Sequence, residues 1–355
     1  METLHFDARF IRLDHHDGIS RFSAELIKAL VKKTKVVAII YDLRQLEHLP
    51  QGIEFVLLNN PQSITEFAVA RKLNKLGVTD VFSPMQIMGT AGRKYKLVLT
   101  LHDLIYYRHR KPPQDLNLIV QLIWRLYHLS YLPQRVLLNR ADAIATVSET
   151  TRKLIRQNHL TKREVGVVYN SAPGVPVAKP RSFPTSRKLL YIGSFMPYKN
   201  VETLIRGVAL LPEFELHLLS KIDPSRRAAL LDLANDVRAK VIFHGGVSDP
   251  EYRSLLEESF ALVTASKDEG FGIPLVEAMQ QGTPVVATEL EIFNEVAGEA
   301  GKYFSADSAP QFAKRIEELE DSASWEKTSK EVIAQAGKFS WDNSAKALLE
   351  LFRKL

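Results

Sequence analysis

Short apolar runs alternate with longer amphipathic segments along almost the whole chain. Strand-like runs stand at KVVAII (35–40), IEFVLL (53–58), VTDVF (78–82), KLVLTL (96–101) and ADAIATV (141–147). Between them lie segments of helical period, such as ISRFSAELIKALVKK (19–33) and ITEFAVARKLNKLG (64–77). Brief apolar strands separated by helices predict a largely parallel sheet covered on both faces. After Tyr169 the texture changes. NSAPGVPVAKPRSFPTSRK (170–188) carries four prolines and reads as a linker. A second series follows: KLLYIG, FELHLLS, KVIFHGG, FALVTAS and TPVVAT. The pattern predicts an α/β protein of two doubly wound domains, residues 1–170 and 188–339, joined through 171–187, with a helical segment at 340–355. Open sheets of this kind bind ligands beyond the C-terminal ends of their strands.

Each segment with candidate chemistry follows a predicted strand. DEGFGIPLVEAMQQGTPVV (268–286) sets Glu269 and Glu277 on either side of a Phe-Gly-Ile-Pro turn. Pro274 suits a first helical turn, so a helix is expected over 274–281 with Glu277 in that turn. The backbone amides around Gly272–Val276 then form an uncapped helix start, a place that favours an anion. Two exposed acids beside a helix start would also be stable there without any function. Lys199 precedes a helix expected at 201–210 and can meet phosphate as a point charge, or simply face solvent. Gly245 and Gly246 let a flat ligand approach the backbone, or simply make an ordinary strand-turn-helix connection, and Ser248 or Asp249 can cap the next helix. In the first half, Gly18 could admit a phosphate, and Arg21 could neutralise charge or simply face solvent. His102 ends a buried strand. His15 and His16 are adjacent in a loop and lack the spacing of a metal site.

Composition removes some chemistry and adds little else. The 355 residues are 45% hydrophobic and 25% charged, an ordinary globular balance and comfortable for two domains. No cysteine is present, which excludes disulfides, thiolate metal sites and cysteine nucleophiles. The net charge of +6 suits an anionic substrate or a membrane surface without indicating nucleic acid. The opening METLHFDARF has no apolar signal core, so a cytoplasmic protein is expected. QDLNLIVQLIWRLYHLSYLPQRVLL (114–138) is amphipathic and too mixed to span a bilayer. It is either a core helix or one that rests on a membrane or a lipid-linked acceptor.

With these residues in view, the chain resembles glycosyltransferase family 4 over nearly its whole length. The likeness runs through FDARF…DGISRFSAELIKAL, LTLHDLIYY, ADAIATVSETTRKLI and VVYNS. It continues in LLYIGSFMPYKNVETLI, FHGGVSDPEYRSLL, EGFGIPLVEAMQQGTPVVAT and FSWDNSA. The resemblance implies a GT-B fold, two Rossmann-like domains facing across a cleft, with the last helix crossing back to the N-terminal, acceptor-binding domain. It implies a retaining hexosyltransferase that uses a UDP- or GDP-linked sugar and a glycan or lipid-linked saccharide acceptor, in polysaccharide or cell-envelope assembly. Glu277 would bind the ribose, Glu269 the hexose near the reacting carbon, and Lys199 the diphosphate. Backbone at Phe271, Gly272 and Ile273 would hold sugar hydroxyls and phosphate, and that at Leu275 and Val276 the α-phosphate. Val247 would contact the base, Gly18 the phosphate and His102 the sugar. Many members carry arginine where this chain has Ser194, so one cation of the diphosphate clamp is missing and Arg21 is a candidate to compensate. The sequence has no Asp-x-Asp motif, and no cofactor or divalent metal is expected. Two other readings stand beside this one. A nicotinamide dehydrogenase lacks its early Gly-x-Gly-x-x-Gly, and a catalytically impaired nucleotide-binding scaffold would bind donor without turnover.

Overall fold

The structure is a computed structural model and describes residues 3–13, 17–110, 118–172 and 180–355. It divides into two compact units, Met1–Gly174 with Phe339–Leu355, and Val175–Lys338.

In the first unit, seven parallel strands lie in the order β3-β2-β1-β4-β5-β6-β7. They are β1 (Thr3–Asp7), β2 (Lys35–Ile40), β3 (Glu54–Leu57), β4 (Asp80–Ser83), β5 (Lys96–Leu101), β6 (Ala143–Thr146) and β7 (Glu164–Val167). Val98 pairs with Ala143 and Thr100 with Ala145, and every residue of β5 after Lys96 is buried, as a strand with helices on both faces requires. The helix Gly18–Leu30 packs its apolar stripe, including Phe22, Leu26 and Leu30, inward. The C-terminal helix Trp341–Arg353 belongs to this unit and lies along Gly18–Leu30 and β7. Its Trp341 indole donates to Ala172 O at 2.9 Å, and its Ser344 hydroxyl donates to Tyr169 O at 2.6 Å. Gly166 in β7 lets it come close, since a Cβ there would stand 2.9 Å from the Leu351 side chain.

In the second unit, six parallel strands follow the order β10-β9-β8-β11-β12-β13. They are β8 (Lys188–Tyr191), β9 (Glu215–Leu218), β10 (Val241–Phe243), β11 (Ala261–Thr264), β12 (Val285–Thr288) and β13 (Lys302–Phe304). Its core gathers Leu204, Phe214, Phe260, Phe312 and Trp325. Of the expected linker 171–187, residues 173–179 lie outside the described residues. Arg181 is fastened to the second unit through Thr283 Oγ1 at 2.8 Å, Ser259 O at 3.0 Å and the face of Trp325.

Three local expectations need correction. The segment 64–77 is not one α-helix: a 3-10 stretch, Ile64–Ala68, precedes the α-helix Val69–Lys75. The helix expected over 274–281 is Ile273–Gln280, so Glu277 is its fifth residue and lies in the second turn. Residues 114–117 of the amphipathic segment lie outside the described residues; the rest breaks into Leu118–Tyr127 and Leu132–Leu138, and only part of it, Leu138 with Tyr127 and Tyr131, packs in or on the core. Leu122, Ile123, Leu126, Leu129 and Leu132 are each more than half exposed, with Val136 close behind.

Candidate functional site

The second unit collects its expected groups at the C-terminal ends of its own strands. The loop after β11 carries Glu269 and turns at Gly272, whose φ of +91° is a left-handed conformation that favours glycine. A Cβ there would also press on the Phe293 ring at 3.0 Å. Gly272 is the N-cap of Ile273–Gln280 and no side chain caps this helix. Its start is therefore a concentration of amide dipole that the protein's own side chains do not cap. Phe271, Leu275 and Val276 are buried on this turn and helix start. One of those amides is engaged: Leu275 N–H donates to Gly272 O at 2.9 Å. Glu277 is buried at 9% exposure on the same helix.

Lys199 and Glu269 are brought together, the ammonium forming a short ion pair with the carboxylate. Both are largely buried, at 13% and 21% side-chain exposure, which makes the pair stronger than a solvated one. The Lys199 loop is seated by residues the sequence reading did not single out. Asn200 takes a left-handed conformation (φ +52°), and its amide donates to Ala306 O at 2.6 Å and Ala265 O at 3.2 Å. Lys267 N–H donates to Tyr198 O at 2.7 Å. The signal was present in Tyr-Lys-Asn, because asparagine tolerates that conformation best among non-glycine residues. Ser194 is exposed, and its carbonyl accepts from the Tyr191 hydroxyl at 2.5 Å. Val247 is half-buried between the left-handed Gly245 and Gly246 and the helix cap. Ser248 is that cap, within a full capping box with Glu251. Beside Gly246 stands Lys221, a cation that sequence spacing did not point to.

The first unit holds Gly18, Arg21 and His102. Gly18 opens its helix, but Asp17 is the N-cap and accepts from Ser20 N–H at 2.8 Å. Arg12 closes on the same carboxylate at 2.8 Å. This helix start already carries an anion, so a phosphate would have to share it with Asp17. Arg21 is half-buried in the first turn, its N–H donating to Asp17 O at 2.9 Å. His102 follows β5, with Nε2 2.7 Å from Pro84 O and its ring edge-on to Phe22 at 5.2 Å. A carbonyl only accepts, so Nε2 bears the proton and Nδ1 keeps its lone pair. Burial holds this imidazole below the usual histidine range, and it is neutral at pH 7. His15 and His16 lie outside the described residues. Among the described residues, no three His, Asp or Glu side chains are grouped to hold a metal ion.

Comparison with known proteins identifies the family and the fold. Residues 16–172 match the family described as Glycosyltransferase Family 4, and residues 177–339 match that described as Glycosyl transferases group 1. The serotype-specific mannosyltransferase WbdA of Escherichia coli is 25% identical over 74% of this chain, which spans 34% of that protein's length. The O-antigen chain mannosyltransferase RfbU of Salmonella typhimurium is 25% identical over 86% of this chain and 89% of its own. Among solved structures, Anabaena HepE in complex with UDP and glucose superimposes with a TM-score of 0.73 at 18% identity, covering all of both chains. The two parallel Rossmann-like sheets are those of the GT-B fold. The chain belongs to glycosyltransferase family 4.

Proposed function

We propose that this protein transfers a hexose from a UDP- or GDP-linked sugar to a saccharide acceptor, with retention of anomeric configuration and without a divalent metal. The observation that carries the reading is the uncapped start of Ile273–Gln280 in the same unit as the Lys199–Glu269 pair. When the anomeric carbon–oxygen bond breaks, positive charge builds on the sugar and negative charge on the departing diphosphate. Lys199 and the helix amides meet the second charge, and the Glu269 carboxylate meets the first. The acceptor oxygen bonds to the anomeric carbon on the face the diphosphate leaves, and its proton passes to a diphosphate oxygen. No covalent nucleophile is required. Glu277 holds the ribose, Val247 backbone the base, and Lys221 makes up for Ser194. The serotype-specific and O-antigen chain mannosyltransferase relatives favour polysaccharide or envelope glycan assembly as the setting.

The direct test is thermal denaturation with nucleoside diphosphates and nucleotide-sugars in the presence of a chelator. A ligand at a hundred times its dissociation constant adds roughly 2.7 kcal/mol, and one nucleotide is expected to raise the midpoint selectively. Turnover should persist in chelator. Binding without turnover would favour the scaffold reading, and no shift with any nucleotide would remove the donor site altogether.

The same reading includes a peripheral membrane contact through the exposed face of Leu118–Tyr127 and Leu132–Leu138. No described helix is long and apolar enough to cross a bilayer. Leu122, Ile123, Leu126 and Leu132 point outward beside Arg125 and Arg135, and residues 118–140 contain no acidic side chain. Apolar area framed by cations is what an anionic lipid surface attracts. Sedimentation with vesicles containing phosphatidylglycerol should capture the protein, and Ile123→Glu with Leu126→Glu should release it. Equal capture of both proteins would end the idea.

A further inference from the structure

His102 is held by several contacts, and one series of them leads to the far end of the chain. Its Nε2–H donates to Pro84 O at 2.7 Å, and its own carbonyl accepts from the Thr151 hydroxyl at 3.3 Å. Those bonds fix the main chain and one ring atom. The imidazole plane can still swing about that atom, so the direction of the Nδ1 lone pair needs another contact. Phe22 supplies it: the two rings meet at 84° with centroids 5.2 Å apart, the edge-to-face geometry that aromatic quadrupoles favour.

Phe22 is fully buried and has no polar atom by which a hydrogen bond could orient it. Neighbouring rings set its plane, Phe82 at 6.4 Å and Trp341 at 5.9 Å and 67°. Trp341 is the first residue of the C-terminal helix, whose Ser340 cap accepts from Asn343 N–H at 3.2 Å. The indole donates to Ala172 O at 2.9 Å, beside a Ser171 hydroxyl that donates to Phe339 O at 3.1 Å. Tyr169 stands edge-on to Phe339 at 5.4 Å. Residues 169–172 come just before the chain leaves this unit, and 339–341 come just after it returns. Trp341, 8% exposed, is thus tied where the departing and returning segments meet, and its ring reaches Phe22 from there.

We infer that Phe22 and Trp341 are positioning residues for His102: Trp341 fixes the Phe22 ring, and Phe22 fixes the imidazole plane and with it the direction of the Nδ1 lone pair. The inference rests on the reading that His102 meets the sugar. It gives the C-terminal helix a part in turnover as well as in folding.

The test joins spectroscopy to kinetics on the full chain. Long-range proton–nitrogen correlation NMR, with His102 assigned through His102→Gln, reports the tautomer and motion of its ring. Turnover is that of the nucleotide-sugar that raises the thermal midpoint, read as nucleoside diphosphate released. The unmodified protein should show a single sharp Nε2–H tautomer at pH 7. Trp341→Ala should broaden the His102 signals and lower kcat about tenfold at unchanged donor KM, because a reacting group slightly out of place loses rate. Phe22→Leu should do the same, and Trp341→Phe, which keeps a ring beside Phe22, should recover both readouts. Leu351→Ala is the structural control. It removes a buried side chain that packs at Gly166, about three turns further along the helix. It should lower the thermal midpoint and leave the His102 signals and kcat as they are in the unmodified protein. Unchanged His102 signals in Trp341→Ala and Phe22→Leu overturn the inference, as does equal broadening in Leu351→Ala. Full kcat in His102→Gln, or broadened signals with full kcat in Trp341→Ala, would instead overturn the reading of His102 at the sugar, and the inference with it.

Discussion

Lys199→Ala is expected to lower turnover by about 10²–10³-fold, or roughly 2.7–4 kcal/mol in the barrier, while leaving the fold intact. The ammonium is not part of the hydrophobic core. It is held at 13% exposure by Glu269, and its loop is fixed independently by Asn200 and by the Lys267–Tyr198 backbone bond. Removing the amine therefore removes charge from a site whose backbone stays in place. On the proposed function, the departing diphosphate loses the side-chain cation that meets it. Lys199→Arg restores charge but not the compact ammonium that pairs with Glu269, and it should recover only part of the rate. Steady-state kinetics beside a thermal midpoint for each variant make the check. Full turnover in Lys199→Ala at an unchanged midpoint would place the leaving-group stabilisation elsewhere, with Lys221 and Arg21 the next residues to vary.

That prediction rests on an arrangement the chain advertised well. The apolar runs at 96–101, 260–266 and 283–288 announced buried parallel strands. What stayed hidden had physical reasons. β1 reads TLHFD, with His5 and Asp7 interrupting the apolar pattern, yet it is a central strand, because Asp7 is paired inside the protein with Arg9. β7 and β13 are short edge strands, and Glu164 and Lys302 at their outer ends dilute any hydropathy signal. The helix start at Ile273 was legible from Gly272 and Pro274, but the turn holding Glu277 depended on a one-residue boundary that propensity does not resolve. Lys221 and Asn200 act through positions reached only after folding. The same holds for Phe22 and Trp341, which come together beside His102 from distant segments.

The segment 114–138 shows the limit most clearly. Its periodicity described an amphipathic helix correctly, but periodicity does not say which medium receives the apolar face. The inner side is occupied by Tyr127 and His128, which pack on Tyr107, while Leu122, Ile123 and Leu126 are left outside. Two apolar-bearing faces, one against protein and one against solvent, give a pattern that sequence alone reads as either core or membrane surface.

Arg9→Ala is expected to be the most damaging single substitution in the first unit, costing about 3–5 kcal/mol, because it leaves buried carboxylates unpaired. Arg9 is 2% exposed and Asp7 is fully buried. The guanidinium binds Asp7 with two nitrogens, at 2.7 and 2.9 Å, and reaches Glu66 at 2.7 Å and Asn59 O at 3.1 Å. Glu66 in turn accepts from Gly89 N–H at 3.0 Å, and a Cβ on Gly89 would stand 1.8 Å from Glu66 O. One arginine thus ties the end of β1 to the chain that follows β4, the same chain whose Pro84 carbonyl fixes His102. The damage should be local, because every partner of Arg9 named here belongs to the first unit. Hydrogen exchange read by mass spectrometry separates the two cases. Peptides from β1, β2 and β4 should exchange more than about a hundredfold faster in Arg9→Ala, with peptides from β8 to β13 unchanged. Arg9→Lys keeps a charge near Asp7 but loses the forked contact to two carboxylates, and it should fall between the two. Exchange that rises equally in both units would mean that the network supports the whole chain, and unchanged exchange everywhere would mean that Asp7 and Glu66 find protons or water in place of their partner.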